Sequence, residues 1–284
     1  MKERSLIVFT IFSQLAVGMF WTLGALYVWS ARQTGPGVAH ELTTFGWPLI
    51  GLVMGIGILA SFFHLGAPLN AWRVFSNLRQ SWLSREILFA TLFAVASITF
   101  VIMQWLELGT LAARGTMGVL TGLAGLALIY VMGNAYRLRT IPAWDTWATP
   151  ASFFVTTFLL GALATGVMLM SQSKAPAEWM RLVLQGIVLW AVTLLGIELV
   201  IIPLWLVQLT GSEAATNSVA RITQKHSAIF KLRLALTAAA ITVAGAAIFG
   251  LWQEFSLLVA LGLVLVSETL GRLLFYNARV RHGV

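Results

Sequence analysis

The sequence predicts an all-α integral membrane protein, a single polytopic domain over residues 1–284 built as a bundle of eight transmembrane helices. Three observations carry this expectation. Hydrophobic residues make up 59% of the chain and charged ones 10%, and a mean hydropathy of +0.87 leaves too little polar surface for a soluble domain. Apolar runs of about twenty residues or more recur along the chain, each long enough to cross a hydrocarbon core as a helix. The joints between them are short and carry turn chemistry.

The first run, about 5–31, follows Lys2 and Arg4 but outlasts the apolar core of a signal peptide, so it reads as an uncleaved first span. Thr34-Gly35-Pro36-Gly37 turns the chain into the second, about 42–65, which ends at His64. Gly66-Ala67-Pro68 opens a longer joint before the third, about 83–106. The fourth and fifth, about 115–137 and 149–172, flank a joint holding Ile141-Pro142. Ala175-Pro176 precedes the sixth, about 180–209, where Pro203 predicts a kink. Gly211-Ser212 starts the joint to the last two, about 229–251 and 255–277. The pairs Gly51/Gly55 and Gly118/Gly122 have the spacing of close helix packing. Tryptophans near span ends, among them Trp29, Trp47, Trp105, Trp144 and Trp147, predict interfacial anchors. No internal repeat stands out, which disfavours an inverted-repeat transporter.

An even number of spans puts both termini on one face. Of the 18 basic residues only Arg32, Arg114, Lys174 and Arg181 fall on the other face. The positive-inside rule therefore places the termini, the three longer joints (near 66–82, 138–148 and 210–228) and the His64/Glu86 end in the cytoplasm of a bacterial inner membrane. Besides membrane lipid, that basic face suits an acidic partner protein, and no feature points to nucleic acid.

The protein has no cysteine, which excludes disulfides and thiolate-held iron–sulfur clusters and leaves any metal centre to its four histidines. His40 lies in a joint, His226 in a loop and His282 at the C-terminus, so only His64 lies in a span and a bis-histidine haem has no ligand pair. His64 closes the second span and Glu86 opens the third, which sets them at one depth on one face. An imidazole beside a partly desolvated carboxylate suits proton exchange with a quinone, and an apolar cleft accepts its tail. A structural reading stands beside this one. Ser84 as N-cap would put Glu86 at N2, where a carboxylate favours the helix dipole, and His64 would bond a nearby carbonyl. Spacing leaves both open.

Glu268 and Arg272, four positions apart, are expected to neutralise each other. Glu198, five residues before Pro203, either bonds within the bundle, with Gln14 as partner, or belongs to a proton path.

Three blocks resemble the integral-membrane anchor subunit of three-part molybdoenzymes of the dimethyl sulfoxide reductase type. They are His64-Leu65-Gly66-Ala67-Pro68 continuing to Glu86; Tyr136 with Thr140-Ile141-Pro142-Ala143-Trp144 and Trp147-Ala148-Thr149-Pro150; and Glu268-Thr269-Leu270-Gly271-Arg272 with Phe275-Tyr276. The resemblance implies a subunit without haem, iron–sulfur cluster or molybdopterin of its own. Such a subunit anchors an iron–sulfur subunit and a molybdopterin catalytic subunit, and binds menaquinone or ubiquinone beside the nearest cluster. It assigns quinone binding to the positions of His64, Gly66, Pro68 and Glu86, with His64 and Glu86 exchanging protons. Arg73, Arg79 and Arg85 then become partner or headgroup contacts. In the dimethyl sulfoxide reductase itself the quinone end faces the periplasm, whereas the charge count here points to the cytoplasm. The protein is thus expected to be more similar to the sulfite-oxidising, quinone-reducing relatives. The other expectations weighed are a quinol-oxidising anchor, a pure scaffold and a secondary transporter.

Overall fold

The computed structural model describes residues 2–62, 77–170, 177–209, 213–249 and 253–280. Among these residues there is no strand, and eight helical spans are long and apolar enough to cross a membrane. In sequence order the helices are α1 (Lys2–Thr34), α2 (Pro36–Thr43), α3 (Gly46–Phe62), α4 (Trp82–Trp105), α5 (Leu111–Ala135), α6 (Ala148–Met170), α7 (Ala177–Gln208), α8 (Glu213–Ala220), α9 (Ser227–Ile248) and α10 (Gln253–Asn277). The second span combines α2 and α3, and α8 is a short extra helix.

α1 and α6 are the most enclosed spans and form the axis of the bundle. α3 and α5 pack on α1, with α4 outside them; α7 and α10 pack on α6, and α9 sits against both α7 and α10. Lipid tails are as apolar as leucine, so helices in a bilayer associate by close packing and hydrogen bonding rather than by hydrophobic exclusion. The axis meets that demand at Gly18 and Gly161. A Cβ on Gly18 would collide with the carbonyl of Thr157, and one on Gly161 with the backbone of Gly18. Gly133 approaches Pro150 in the same way, where an added Cβ would lie 2.9 Å from the proline Cα.

The glycine pairs expected from spacing divide differently. Gly118 and Gly122 do pack, but against the rings of Phe100 and Trp21. Gly51 and Gly55 face open space, with nothing within 4 Å of an added Cβ, so this face of α3 makes no helix contact among the described residues. Tryptophan placement departs from expectation as well. Trp29, Trp105 and Trp147 are exposed, as anchors require, but Trp47 and Trp144 are buried. Trp144 donates its indole N–H to the carbonyl of Phe275 at 2.7 Å, so it is a core residue with a satisfied polar handle. α7 runs unbroken through Pro203. The joint near 210–228 is helical over most of its described length, since α8 and the wide turn Arg221–Lys225 bury Ala214, Ala215 and Ile222.

Candidate functional site

α4 begins at Ser81. Its backbone is extended (φ −111°, ψ 117°), and its hydroxyl accepts from the amide of Ser84 at 3.2 Å, the geometry of an N-cap. This corrects the expectation that Ser84 is the cap. A hydroxyl can cap only from outside the helix, and Ser84 is already the third residue inside. Glu86 consequently lies in the second turn, past the terminal amides that a carboxylate at N2 would serve. Its structural explanation is removed.

Glu86 is 5% exposed, and its Oε1 has no hydrogen-bond partner among the described residues. A buried carboxyl oxygen left open is costly in a purely structural role. Arg85, next to it, turns outward and back. Its Nε and Nη2 donate to the carbonyls of Leu78 and Arg79 at 2.8 and 2.7 Å, and its guanidinium lies 4.4 Å from the centre of the Trp82 ring. The end of the joint is thereby tied to the start of the span, while Arg79 stays exposed. His64, Gly66, Pro68 and Arg73 lie outside the described residues.

At the end of the bundle where α4 begins and α5 ends, the second and third sequence blocks come together. The hydroxyls of Tyr136, just past α5, and Tyr276, in α10, are 2.8 Å apart. Trp144 stacks on Phe275 with centroids 5.1 Å apart, and Tyr136 stacks on Phe153 at 5.7 Å. The Tyr136 phenol is pushed well above its ordinary range, first by burial and then by the charges of Tyr276 and Glu86.

Deeper in the bundle lies a charged centre that the sequence resolves only in part. Arg233 of α9 donates through Nη2 to Glu198 Oε1 of α7 at 2.5 Å and stands 3.8 Å from Glu268 Oε1 of α10. Thr156 of α6 donates to the other oxygen of Glu268 at 2.6 Å. Arg272 donates to Gln14 Oε1 of α1 at 3.1 Å and lies 3.6 Å from the centre of the Phe153 ring, while Gln14 donates to the Phe153 carbonyl at 2.7 Å. Two expectations are corrected here. Glu268 pairs across the bundle with Arg233 instead of along its own helix with Arg272, and Gln14 serves Arg272 instead of Glu198. Spacing of four puts two side chains on one face but does not aim them at each other, and a neighbouring helix offered each a nearer partner. Arg233, which the charge count places with the cytoplasmic basic residues, sits in the second turn of α9 with its side chain 14% exposed. Its signal was an arginine inside the apolar run 229–251, two positions past Lys231 and so deeper in the span. The cavity here, about 70 Å³, is lined by all four charged groups together with Thr156 and is large enough for a few waters.

A family model described as "DMSO reductase anchor subunit (DmsC)" matches residues 1–278. The protein is similar to the C chain of the anaerobic dimethyl sulfoxide reductase of Escherichia coli strain K12, at 28% identity over 99% of this sequence and 96% of that one. The protein of the same description from Haemophilus influenzae is 25% identical over the same shares, 99% and 96%. The C subunit of the sulfite dehydrogenase of Allochromatium vinosum is 29% identical over 56% of this sequence and 50% of that protein.

Proposed function

The protein belongs to the DMSO reductase anchor subunit family, and from that premise we propose that it binds a quinone at the end of the bundle that carries His64 and Glu86. There it exchanges electrons between the membrane quinone pool and an iron–sulfur partner subunit, which in turn serves a molybdopterin catalytic subunit. The observation that carries this reading is the buried, open carboxyl oxygen of Glu86, held one turn inside α4 at the same end of the bundle as the Tyr136/Tyr276 pair.

Interconversion of quinol and quinone moves two electrons and two protons. When menaquinone or ubiquinone is bound it supplies the redox chemistry. The protein's own residues handle the protons and the fit. Glu86 takes or returns one proton at its open carboxyl oxygen, and His64 the other at its imidazole. Gly66 and Pro68 belong to the quinone site by the family resemblance. Arg73 and Arg79 contact the partner subunit or lipid headgroups, and Arg85 acts with them by holding the carbonyls of Leu78 and Arg79 in place.

Two directions of electron flow have support. The basic asymmetry favours a cytoplasmic complex that reduces quinone, as the sulfite-oxidising reading requires. The likeness along 99% of the sequence to the dimethyl sulfoxide reductase relatives favours a quinol-oxidising anchor. A secondary transporter is disfavoured by the lack of an internal repeat. In the deep centre Glu198 and Glu268 pair with Arg233 and Arg272 bonds Gln14, while Glu268 Oε1, Arg233 Nε and Arg272 Nε have no hydrogen-bond partner among the described residues.

The test replaces Glu86 by Gln and His64 by Ala in the assembled complex. Quinone-coupled turnover is expected to fall at least about tenfold in each variant, while turnover with a soluble dye that bypasses the membrane is retained. Unchanged quinone-coupled turnover in both variants would leave this protein a scaffold only.

A further inference from the structure

About 18 positions along α4 from Glu86, and so about 27 Å away at 1.5 Å per residue, a second and larger cavity opens at the other end of the bundle. Its volume is about 530 Å³, within the range of small-molecule sites. It lies between the C-terminal half of α1 and the N-terminal half of α5, closed from behind by Trp47 of α3 and Phe100 of α4. The groove exists because α1 and α5 present glycine where a side chain would fill it: nothing lies within 4 Å of a Cβ built on Gly24 or Gly115. Val28, Leu111 and Val119 line it and are exposed, so in a bilayer it opens to lipid.

The polar groups of this cavity are unbalanced in one direction. Arg32 and Arg114 line it, and no carboxylate does. The Nε of Arg114 is buried without a partner among the described residues. So is the indole N–H of Trp47, a residue 2% exposed. Gln104, 4% exposed, turns its side-chain oxygen toward Arg114 Nη1 at 3.5 Å, at the outer limit of a hydrogen bond. Two guanidinium charges and two open buried donors therefore surround an apolar chamber that lacks a strong acceptor. A buried donor without an acceptor is costly, and arginine is suited to phosphate oxygens. The missing occupant has an anionic, acceptor-only head and an apolar body. A quinone ring would satisfy the open donors but leave both positive charges uncompensated.

We propose that this cavity is a site for one anionic phospholipid of the leaflet opposite the His64/Glu86 end. An acyl tail lies in the groove between α1 and α5, and the phosphate is held by Arg114 and Arg32. The site is independent of the quinone reading, because none of its residues is shared with the Glu86 end.

The assembled complex, delipidated in a zwitterionic detergent and then supplied with either phosphatidylglycerol or phosphatidylcholine, is examined by native mass spectrometry. The wild type is expected to retain one phosphatidylglycerol that the R32Q/R114Q double variant loses, while phosphatidylcholine is retained equally by both. A Gly115→Leu variant keeps both arginines but fills the groove, and is expected to lose the same lipid, as an acyl-tail site requires. Excess inorganic phosphate should not displace that lipid. Equal retention of phosphatidylglycerol by wild type and the double variant would overturn the proposal. So would displacement by free phosphate, unchanged retention in Gly115→Leu, or recovery of a quinone in place of the lipid. Dye-linked turnover of each variant reports that the complex is assembled, whichever way the quinone reading falls.

Discussion

Glu86 shows how one residue's role changes with its depth in a helix. At the second position of α4 it would have served the helix dipole; one turn further in, its carboxyl oxygen has no structural employment among the described residues. The Gln replacement keeps size and hydrogen-bonding capacity but removes the ionisable proton, so on the proposed reading its effect should fall on quinone-coupled turnover and not on assembly. Arg233 illustrates the opposite case. Its charge is taken up by Glu198 and Glu268 inside the bundle, and replacing it by Met leaves two carboxylates facing one another. Breaking such a pair costs about 3–5 kcal/mol. Thermal unfolding of R233M in detergent should show a clear fall in midpoint, and adding Glu198→Gln should restore part of it, because the two changes are coupled. A full, additive loss in the double variant would mean that Arg233 and Glu198 act separately.

Among elements, α1 and α6 set the architecture because they approach more closely than side chains normally permit. Gly18→Ala would drive a methyl into the Thr157 carbonyl, and the repacking should destabilise by about 1–3 kcal/mol. Gly51→Ala offers the matched contrast. Its Cβ meets nothing, and alanine in a helix interior gains about 0.5–1 kcal/mol over glycine. The two unfolding midpoints should therefore move in opposite directions, although both glycines have similar apolar neighbours in sequence. α10 is the other organising element. Its Glu268, Arg272, Phe275 and Tyr276 reach α1, α6 and α9 and the joint before α6, which explains why this block reads as a unit in the sequence.

For the molecule as a whole, the candidate sites are distributed along the axis of the bundle. Glu86 and the tyrosine pair lie at one end, the paired charges lie deeper in the bundle, and the apolar cavity with Arg32 and Arg114 lies at the other end. Which end faces the cytoplasm rests on charge. Alkaline phosphatase fused after residue 284 should be inactive in a periplasmic reporter assay, with an active fusion in the joint before α5. High activity at the C-terminus would reverse the orientation and with it favour the quinol-oxidising direction.

The sequence by itself determined the class, the spans and the family, because hydrophobic length and short motifs are local properties that survive without coordinates. It also singled out Glu86, Glu198, Glu268 and Arg272, since an ionisable group in an apolar run is conspicuous wherever it lies. Partners were a different matter. That Glu268 meets Arg233, that Gln14 meets Arg272, that Gly18 touches α6 while a Cβ on Gly51 would meet nothing among the described residues, and that Trp47 is core all depend on which helix stands beside which. Rotation and neighbour choice in a bilayer are set by packing between helices, and periodicity within one apolar helix carries almost no record of them when every face is hydrophobic.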